Sequence, residues 1–434
     1  PEDNATAQEA TVANAFSKEE RVAFDQLLEG FQDALVLSKA VSTYGTNGQL
    51  MERTGDTIWR PQPYIAVSQD RVIGTPVTAR DQTQLSVPST LGFKKSVPWN
   101  MNALELRDAL QEGRLGEAAT QRLASDINRA VMDVATLQGT LVVPISTAAG
   151  TYDNVALCDS IMNEQGIPME DRYLALASRD YNGMAGNLAV ATRSFGNSKS
   201  DNAYEKSRVG MVAGFETLKL DYAKRMTATT ATVTIATNGT QVRYVPKATS
   251  TAGTGEVGNV DNRYQTVTVS TTTGVLPGAS FTVAGIEAVH HITKESTGQL
   301  KTFRVISVPS GTTMVISPPM IGANSSPTAA ELQYQNISVA STSATAAIVW
   351  LNKVQAPMNP FWFKDSIELL PGRYAVPSDQ GVDIMRATTD NGIEVVMSKK
   401  FDNSTFTSLY TLDTLFGVVN TNPQMNGILM FGQV

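Results

Sequence analysis

A chain of 434 residues is too long for one small domain and suggests two to three structural units; 42% hydrophobic residues can bury a large core, whereas 17% charged residues is low for a soluble protein and leaves neutral surface suited to self-association. The net charge of −7, from 34 Lys plus Arg against 41 Asp plus Glu, argues against a protein that grips nucleic-acid phosphates. A lone cysteine, Cys158, excludes an intrachain disulfide; no apolar window of about 18 residues predicts a membrane span; and the opening PEDNATAQEATVANAF lacks the basic start and apolar stretch of a secretory signal.

Residues 1–16 are small and polar. Ser17 and Glu20 then form a capping box, and Ala23, Leu27, Phe31, Ala34 and Leu35 follow at helical spacing, which predicts a helix over 18–43. Asp25, Glu29 and Asp33 recur every fourth residue on one side of it, a stripe that by default is a solvated face. Residues 56–100 are β-rich and broken by proline, as in a long, poorly covered two-stranded excursion. Its Trp59, Tyr64, Ile73, Phe93 and Trp99 present more apolar surface than an isolated ribbon tolerates, so it needs a partner surface. The series Leu115, Ala119, Leu123, Ile127, Val131 and Val134 predicts the strongest helix, over 117–138. A helix at 155–164 and short segments broken by Gly183 and Gly186 come next.

From Thr227 to about Thr345 the composition turns to Thr, Ser, Gly and Val. ATVTIA, QVRYV, QTVTVS, ASFTVAGI, KTFRVIS and TTMVIS read as six short strands of a closed or sandwich-like β-domain. After residue 350 the texture is again mixed, with GVDIMRAT and IEVVMSKK flanking a hairpin signal at Thr389-Asp390-Asn391-Gly392. The β-domain is thus inserted between two halves of a larger one.

Catalytic chemistry is thin. Gly253, Gly255 and Gly258 in GTGEVG match a dinucleotide fingerprint, but no strand precedes them and no helix follows, so a loop in the β-insert is the better reading. His290 and His291 are adjacent, which strand geometry would send to opposite faces, a poor arrangement for a shared metal. No catalytic, metal or cofactor-binding residue is singled out, and no enzyme is expected. A competing reading is a surface protein whose Thr-rich module binds carbohydrate, although Tyr244, Tyr264 and Phe281 are nearly all the aromatic residues that module offers.

Particular strings carry a resemblance. VDNRYQTVTVSTTTGVLPGASFTVAGI (260–286) and NPFWFKDSIELLP (359–371) resemble the coat proteins of the short-tailed phage P-twenty-two family; GDTIWRP, FDQLLEGFQDALV and FGVVNTNPQMNGI are similar in pattern and run in the same order. Residues 140–215 match little. The resemblance implies an α+β fold of the Hong Kong 97 capsid type: an N-terminal arm (1–50), an extended loop (51–100), a peripheral domain with spine helix and the first part of an axial domain (101–226), an inserted β-barrel (227–345), and the rest of the axial domain (346–434). It implies a major capsid protein that assembles with itself as hexamers and pentamers. A scaffolding protein guides an icosahedral precursor shell, which expands when DNA is packaged in the bacterial cytoplasm. A portal protein is a further implied partner, a decoration protein stays open, and the enclosed DNA is not bound by sequence. The founding phage's covalent crosslinking is not carried over. By the same resemblance, a basic scaffold helix–turn–helix docks on Asp25 and Glu29. Arg243, Lys247, Glu256 and Asp261, in the glycine-containing loop of the insert, are read as reaching a neighbouring capsomer, with solvated loop charge as the competing reading.

Overall fold

The computed structural model describes residues 35–44, 57–63, 65–68, 71–76, 79, 81–102, 109–147, 150–192, 203, 205–236, 239–323, 326–338, 345–374, 383–389 and 391–433, with Phe24, Leu27, Leu28 and Phe31. The Ser17–Glu20 capping box lies outside these residues.

The helix predicted over 18–43 does not run its full length. Phe24, Leu27, Leu28 and Phe31 are helical, but Leu37–Ala40 is a 3₁₀ turn and Ser42–Thr43 is a strand parallel to Glu368 and Leu369. Val41, Ser42 and Thr43 favour extended backbone, and Trp362 Nε1 donates to Ala40 O at 2.9 Å, turning the chain onto the sheet.

Helix α1, Ala109–Gln138, starts earlier than its periodicity suggested and is about 45 Å long at 1.5 Å per residue. Ala119, Leu123, Ile127, Val131 and Val134 are buried, as spaced. At Gly116 an added Cβ would stand 2.9 Å from Leu27, so glycine permits the N-terminal helix to lie close. Around α1 curls a six-stranded sheet, a half-barrel: Ser42–Thr43, Ile367–Pro371, Thr407–Asn420, Glu394–Asp402 and Asp383–Thr388 in order, with Phe93–Asn102 also on Thr407–Asn420. Phe31, Trp362, Tyr410 and Phe416 close the core between sheet and helix. The 383–402 hairpin turns where the sequence signals it, with Gly392 at φ +78°.

A second six-stranded sheet runs Leu141–Pro144, Asn426–Met430, Asn359–Phe363, Arg172–Ala177, Phe215–Leu220 and Met211–Val212. Helices α2 (Tyr152–Glu164) and α3 (Ser178–Thr192) share its core. Gly183 and Gly186, expected to break this region, lie inside α3. Tyr181, Met184, Ala185 and Leu188 form an inward stripe at helical spacing, and that burial outweighs roughly 1 kcal/mol per glycine.

The third sheet is a nearly closed barrel: Thr234–Ala236, Thr345–Trp350, Ser280–Val289, Ser296–Ser310, Thr313–Ser317 and Gln265–Thr268, with an Ile235–Val269 bridge drawing its ends together. Phe281, Phe303, Met314, Ile316 and Trp350 fill it. QVRYV is not a strand: Gly239–Val242 is a 3₁₀ turn, because Val242 turns into the core and Arg243 is held by the short helix α4 (Ala329–Tyr334). The closing strand, Thr345–Trp350, was not predicted; it alternates exposed and buried residues. Asn352 fastens the two crossing points of the insert. Its Nδ2 donates to Thr227 O at 2.9 Å and Thr229 Oγ1 at 2.8 Å, and its Oδ1 accepts from Ser280 N at 3.1 Å. The barrel core is continuous with the body through Val142, Met226, Met358, Ile428 and Met430.

Candidate functional site: surfaces and their anchors

Two hairpins stand apart from the three large sheets. Thr57–Pro61 pairs with Ser86–Thr90 and carries the segment between them. Trp59 is half-buried opposite Pro88, Tyr64 lies outside the described residues, and Ile73 is 98% exposed beside Val72 at 65%. Phe93 and Trp99 do not belong to this excursion. They sit in the half-barrel sheet, stacked on Phe416 (centroids 5.2 Å apart) and Tyr410 (5.8 Å). The apolar surface expected of the loop is therefore narrower, and its two-stranded part ends at Thr90.

The stem of this hairpin is pinned at both sides. Arg60 pairs with Glu368 at 3.2 Å, its guanidinium 3.6 Å from the centre of the Tyr44 ring. Burial pushes the Glu368 carboxyl up, against the opposing pull of Arg60. Tyr334 OH donates to Thr83 O at 2.7 Å and Thr83 N to Gln333 Oε1 at 3.0 Å, fixing the returning strand to the barrel.

The second hairpin, Thr249–Thr251 with Val257–Asn259, contains the GTGEVG string. Of the four charges read there, two are engaged within the chain. Arg243 donates to Glu331 and to Ser326 O, while Glu331 caps α4 through Thr328; these contacts hold the Glu331 carboxyl below its ordinary value, Arg243 foremost. Asp261 pairs with Arg263 at 2.7 Å, and Arg263 also donates to Asn420 O. Lys247 and Glu256 are exposed and make no ion pair among the described residues. Asn262 pins the hairpin neck: its Oδ1 accepts from Tyr244 OH and Lys247 N, and its Nδ2 donates to Lys247 O and Val260 O. Asp25 and Glu29 lie outside the described residues. Phe281, one of the aromatic residues weighed for a sugar platform, is in the barrel core.

A third feature escaped sequence reasoning. Strand Ser296–Ser310 docks the barrel on the body. Lys301 Nζ donates to Gln165 Oε1 at 3.2 Å and Gln424 Oε1 at 3.0 Å, Thr302 Oγ1 to Thr140 O at 2.6 Å, and Arg304 to Thr136 O in the last turn of α1. Burial lowers the Lys301 ammonium to about 7 and the Arg304 guanidinium to about 9. The available signal was a charge at inward positions of an apolar run, KTFRV. His290 and His291 lie in a turn, not a strand: His290 Nδ1 accepts from the Ile292 and Thr293 amides, and His291 is lowered to about 3 by burial. Among the described residues no group of three or more His, Cys, Asp or Glu is placed to hold a metal, and no helix is long and apolar enough to cross a membrane.

The fold thus joins two sheets around a long helix, inserts a barrel, and carries a hairpin that exposes Val72 and Ile73. The chain belongs to the phage coat-protein family described as P22 coat protein, gene protein 5, whose family model matches residues 12–432. It is accordingly a structural protein of the virion and not an enzyme. Similar solved structures include one from Mycobacterium phage Che8, at 8% identity over 91% of this chain and 90% of that one, TM-score 0.44. The capsid of cyanophage P-SCSP1u is 10% identical over 100% and 93%, TM-score 0.42. The CUS-3 coat protein I-domain is 37% identical over 29% of this chain and 100% of that one, TM-score 0.21.

Proposed function

We propose that this chain builds an icosahedral precursor shell as hexamers and pentamers, guided by a scaffolding protein around a portal, and that the shell expands when DNA is packaged. Family membership over nearly the whole chain supports this reading. Assembly takes place in the bacterial cytoplasm and the product is the virion capsid. In this reading residues 1–50 are the arm and 101–226 hold the spine helix and part of an axial domain. Residues 227–345 and the strand that follows them form the inserted barrel, and 346–434 complete the axial and peripheral domains. The extended loop of 51–100 then narrows to the 57–90 hairpin, which lies over the next subunit of the same capsomer. Its exposed Val72 and Ile73 are the observation that carries this role, since a lone hairpin gains nothing by presenting them to water. Lys247 and Glu256 are the charges of the barrel hairpin left free to reach a neighbouring capsomer, with Arg243 and Asp261 holding its base. Asp25 and Glu29 are proposed to receive the scaffold.

The test is deletion of residues 66–82, replaced by a short turn. The monomer should keep its circular dichroism and melting profile, while co-expression with the neighbouring phage genes yields no closed shells by electron microscopy. Normal shells from the deletion variant would remove the hairpin from assembly. A wild-type chain that stays monomeric under every assembly condition would remove the shell reading itself.

A further inference from the structure

A cavity of about 460 Å³ opens where three parts of the chain meet: the hairpin stem at Ile65 and Leu85, the barrel at Ile292 and Pro318, and the body at Pro168 and Pro423. The polar groups of its wall are already committed. Arg263 is paired with Asp261, Gln424 accepts from Lys301, and Asn262 holds the neck of the barrel hairpin. His291, lowered to about 3 by burial, is neutral at pH 7. Aliphatic surface is what remains to meet an occupant, and its rim lies in water. Ala66 and Pro168 are exposed, Ile292 is 63% exposed, and Met169, next to Pro168, is 70% exposed.

The same chain carries a knob that its own fold leaves in water. Val72–Thr75 is a turn closed by Thr75 N on Val72 O at 3.2 Å, with Gly74 at φ +91° in its third place, where a type II turn requires glycine. The turn holds Ile73 at the tip, 98% exposed, beside Val72 at 65%. Charge agrees with shape. Exposed Arg71 adjoins the knob, and exposed Glu170 and Asp171 follow Pro168 at the rim of the cavity. None of these three makes an ion pair among the described residues. A knob and a hole at separate places on one chain make a head-to-tail contact, and such contacts close into rings. Hexamers and pentamers are rings of this kind.

We propose that Val72 and Ile73 of one subunit enter this cavity in the next subunit of the same capsomer, with Arg71 set against Glu170 and Asp171. The inference rests on the shell reading above and adds the receiving site. The test is the full chain with Ile73→Cys and Ile292→Cys together, assembled into shells, oxidised, and run on a denaturing gel without reductant. Cys158 is buried and offers no competing thiol. The pair should give a ladder of covalent multimers rising to whole capsomers, whereas either substitution alone should leave monomers. If the double variant makes no shells, a charge exchange decides. Arg71→Glu should then lower the yield of closed shells at moderate salt, and Glu170→Arg added to it should restore the yield. Shells that form but give only monomers overturn the docking and leave the shell reading standing. A ladder that stops at two chains overturns it too, since it marks a reciprocal pair. In the charge exchange, an unchanged yield for Arg71→Glu or a failed rescue does the same. A wild-type chain that never forms shells overturns both readings.

Discussion

Asn352→Leu removes the knot at the base of the barrel while keeping the branched outline of the side chain. Ser280 N–H loses its acceptor at 3.1 Å and Thr227 C=O its donor at 2.9 Å. Ser280 is fully buried, so water cannot replace the acceptor of its N–H, whereas exposed Thr227 can turn its C=O to water. Thr229 is buried as well and its Oγ1 loses the Nδ2 donor, so with Ser280 N–H two buried groups are left unmade. At about 1–3 kcal/mol for each buried unsatisfied group, the loss is about 2–6 kcal/mol. A domain of this size has a total stability of about 5–15 kcal/mol, so the substitution takes a large share without abolishing folding. The assay is urea unfolding of a fragment spanning 227–353, which carries its own strand set and most of its own core. With a slope of about 2 kcal/mol per molar, the midpoint should fall by about 1–3 M. Thr345→Ala, at an exposed position of the closing strand, is the control and should move it little. Equal shifts for the two variants would refute the assignment of Asn352 as the fastening residue, and a fragment that never unfolds cooperatively would refute the autonomy of the barrel.

Phe281 stacks on Phe303 and meets Trp350 edge-on, with both ring centroids 5.5 Å away; Phe281→Ala should cost about 3–5 kcal/mol in the same fragment, and Val349→Ala, on the outer face, under about 0.5 kcal/mol. Lys301 has a folded value near 7, well below its ordinary 10.5, so its full penalty holds below pH 7, where both states are protonated, and is relieved as pH rises toward 10.5. Full-chain stability should therefore climb between pH 7 and 9 by up to about 1.4 kcal/mol per unit, and this rise should shrink in Lys301→Met by chemical denaturation, leaving the share of Lys294. Asp25→Lys with Glu29→Lys should leave the monomer folded by circular dichroism but cut scaffold-assisted assembly at moderate salt, since exposed pairs contribute only about 0.2–1 kcal/mol each and are screened. An unchanged assembly yield across a salt titration would remove these two residues from the scaffold contact.

What was legible in the sequence is what local spacing encodes. The stripe of α1, the alternation in Gln265–Thr268, and the Gly392 turn all report burial or φ by neighbours a few residues apart. What was not legible depends on distant partners. Phe93–Asn102 has the same β-rich, proline-broken texture as the hairpin before it, and only its pairing with Thr407–Phe416 assigns it to the half-barrel. Val41–Thr43 leaves the helical pattern because Glu368 and Leu369 offer a strand to join. Arg243 looked like free loop charge, since nothing nearby in sequence identifies Glu331 as its partner, whereas Asp261 has its partner Arg263 two residues on. Asn262 and Asn352 gave no signal at all: a buried asparagine is recognised by the backbone groups around it, and those are assembled only by the fold.

The docking of the barrel follows from the same logic. A helix leaves its last carbonyls without partners, and α1 ends beneath the barrel. Arg304 takes Thr136 O and Thr302 takes Thr140 O, both from one barrel strand. A cation at that end is also favoured by the helix dipole, which offsets part of the cost of burying Arg304. Behind these contacts Val142, Ile428 and Met430 belong at once to the second sheet and to the barrel core. The insert is therefore not a bead on a tether. Any rotation of the last turn of α1 must either carry the barrel with it or strip the Arg304 guanidinium of its oxygen acceptor, leaving it Met358 Sδ at 3.7 Å. A rigid joint at this point would convert movement of the long helix into movement of the barrel and the hairpin it carries.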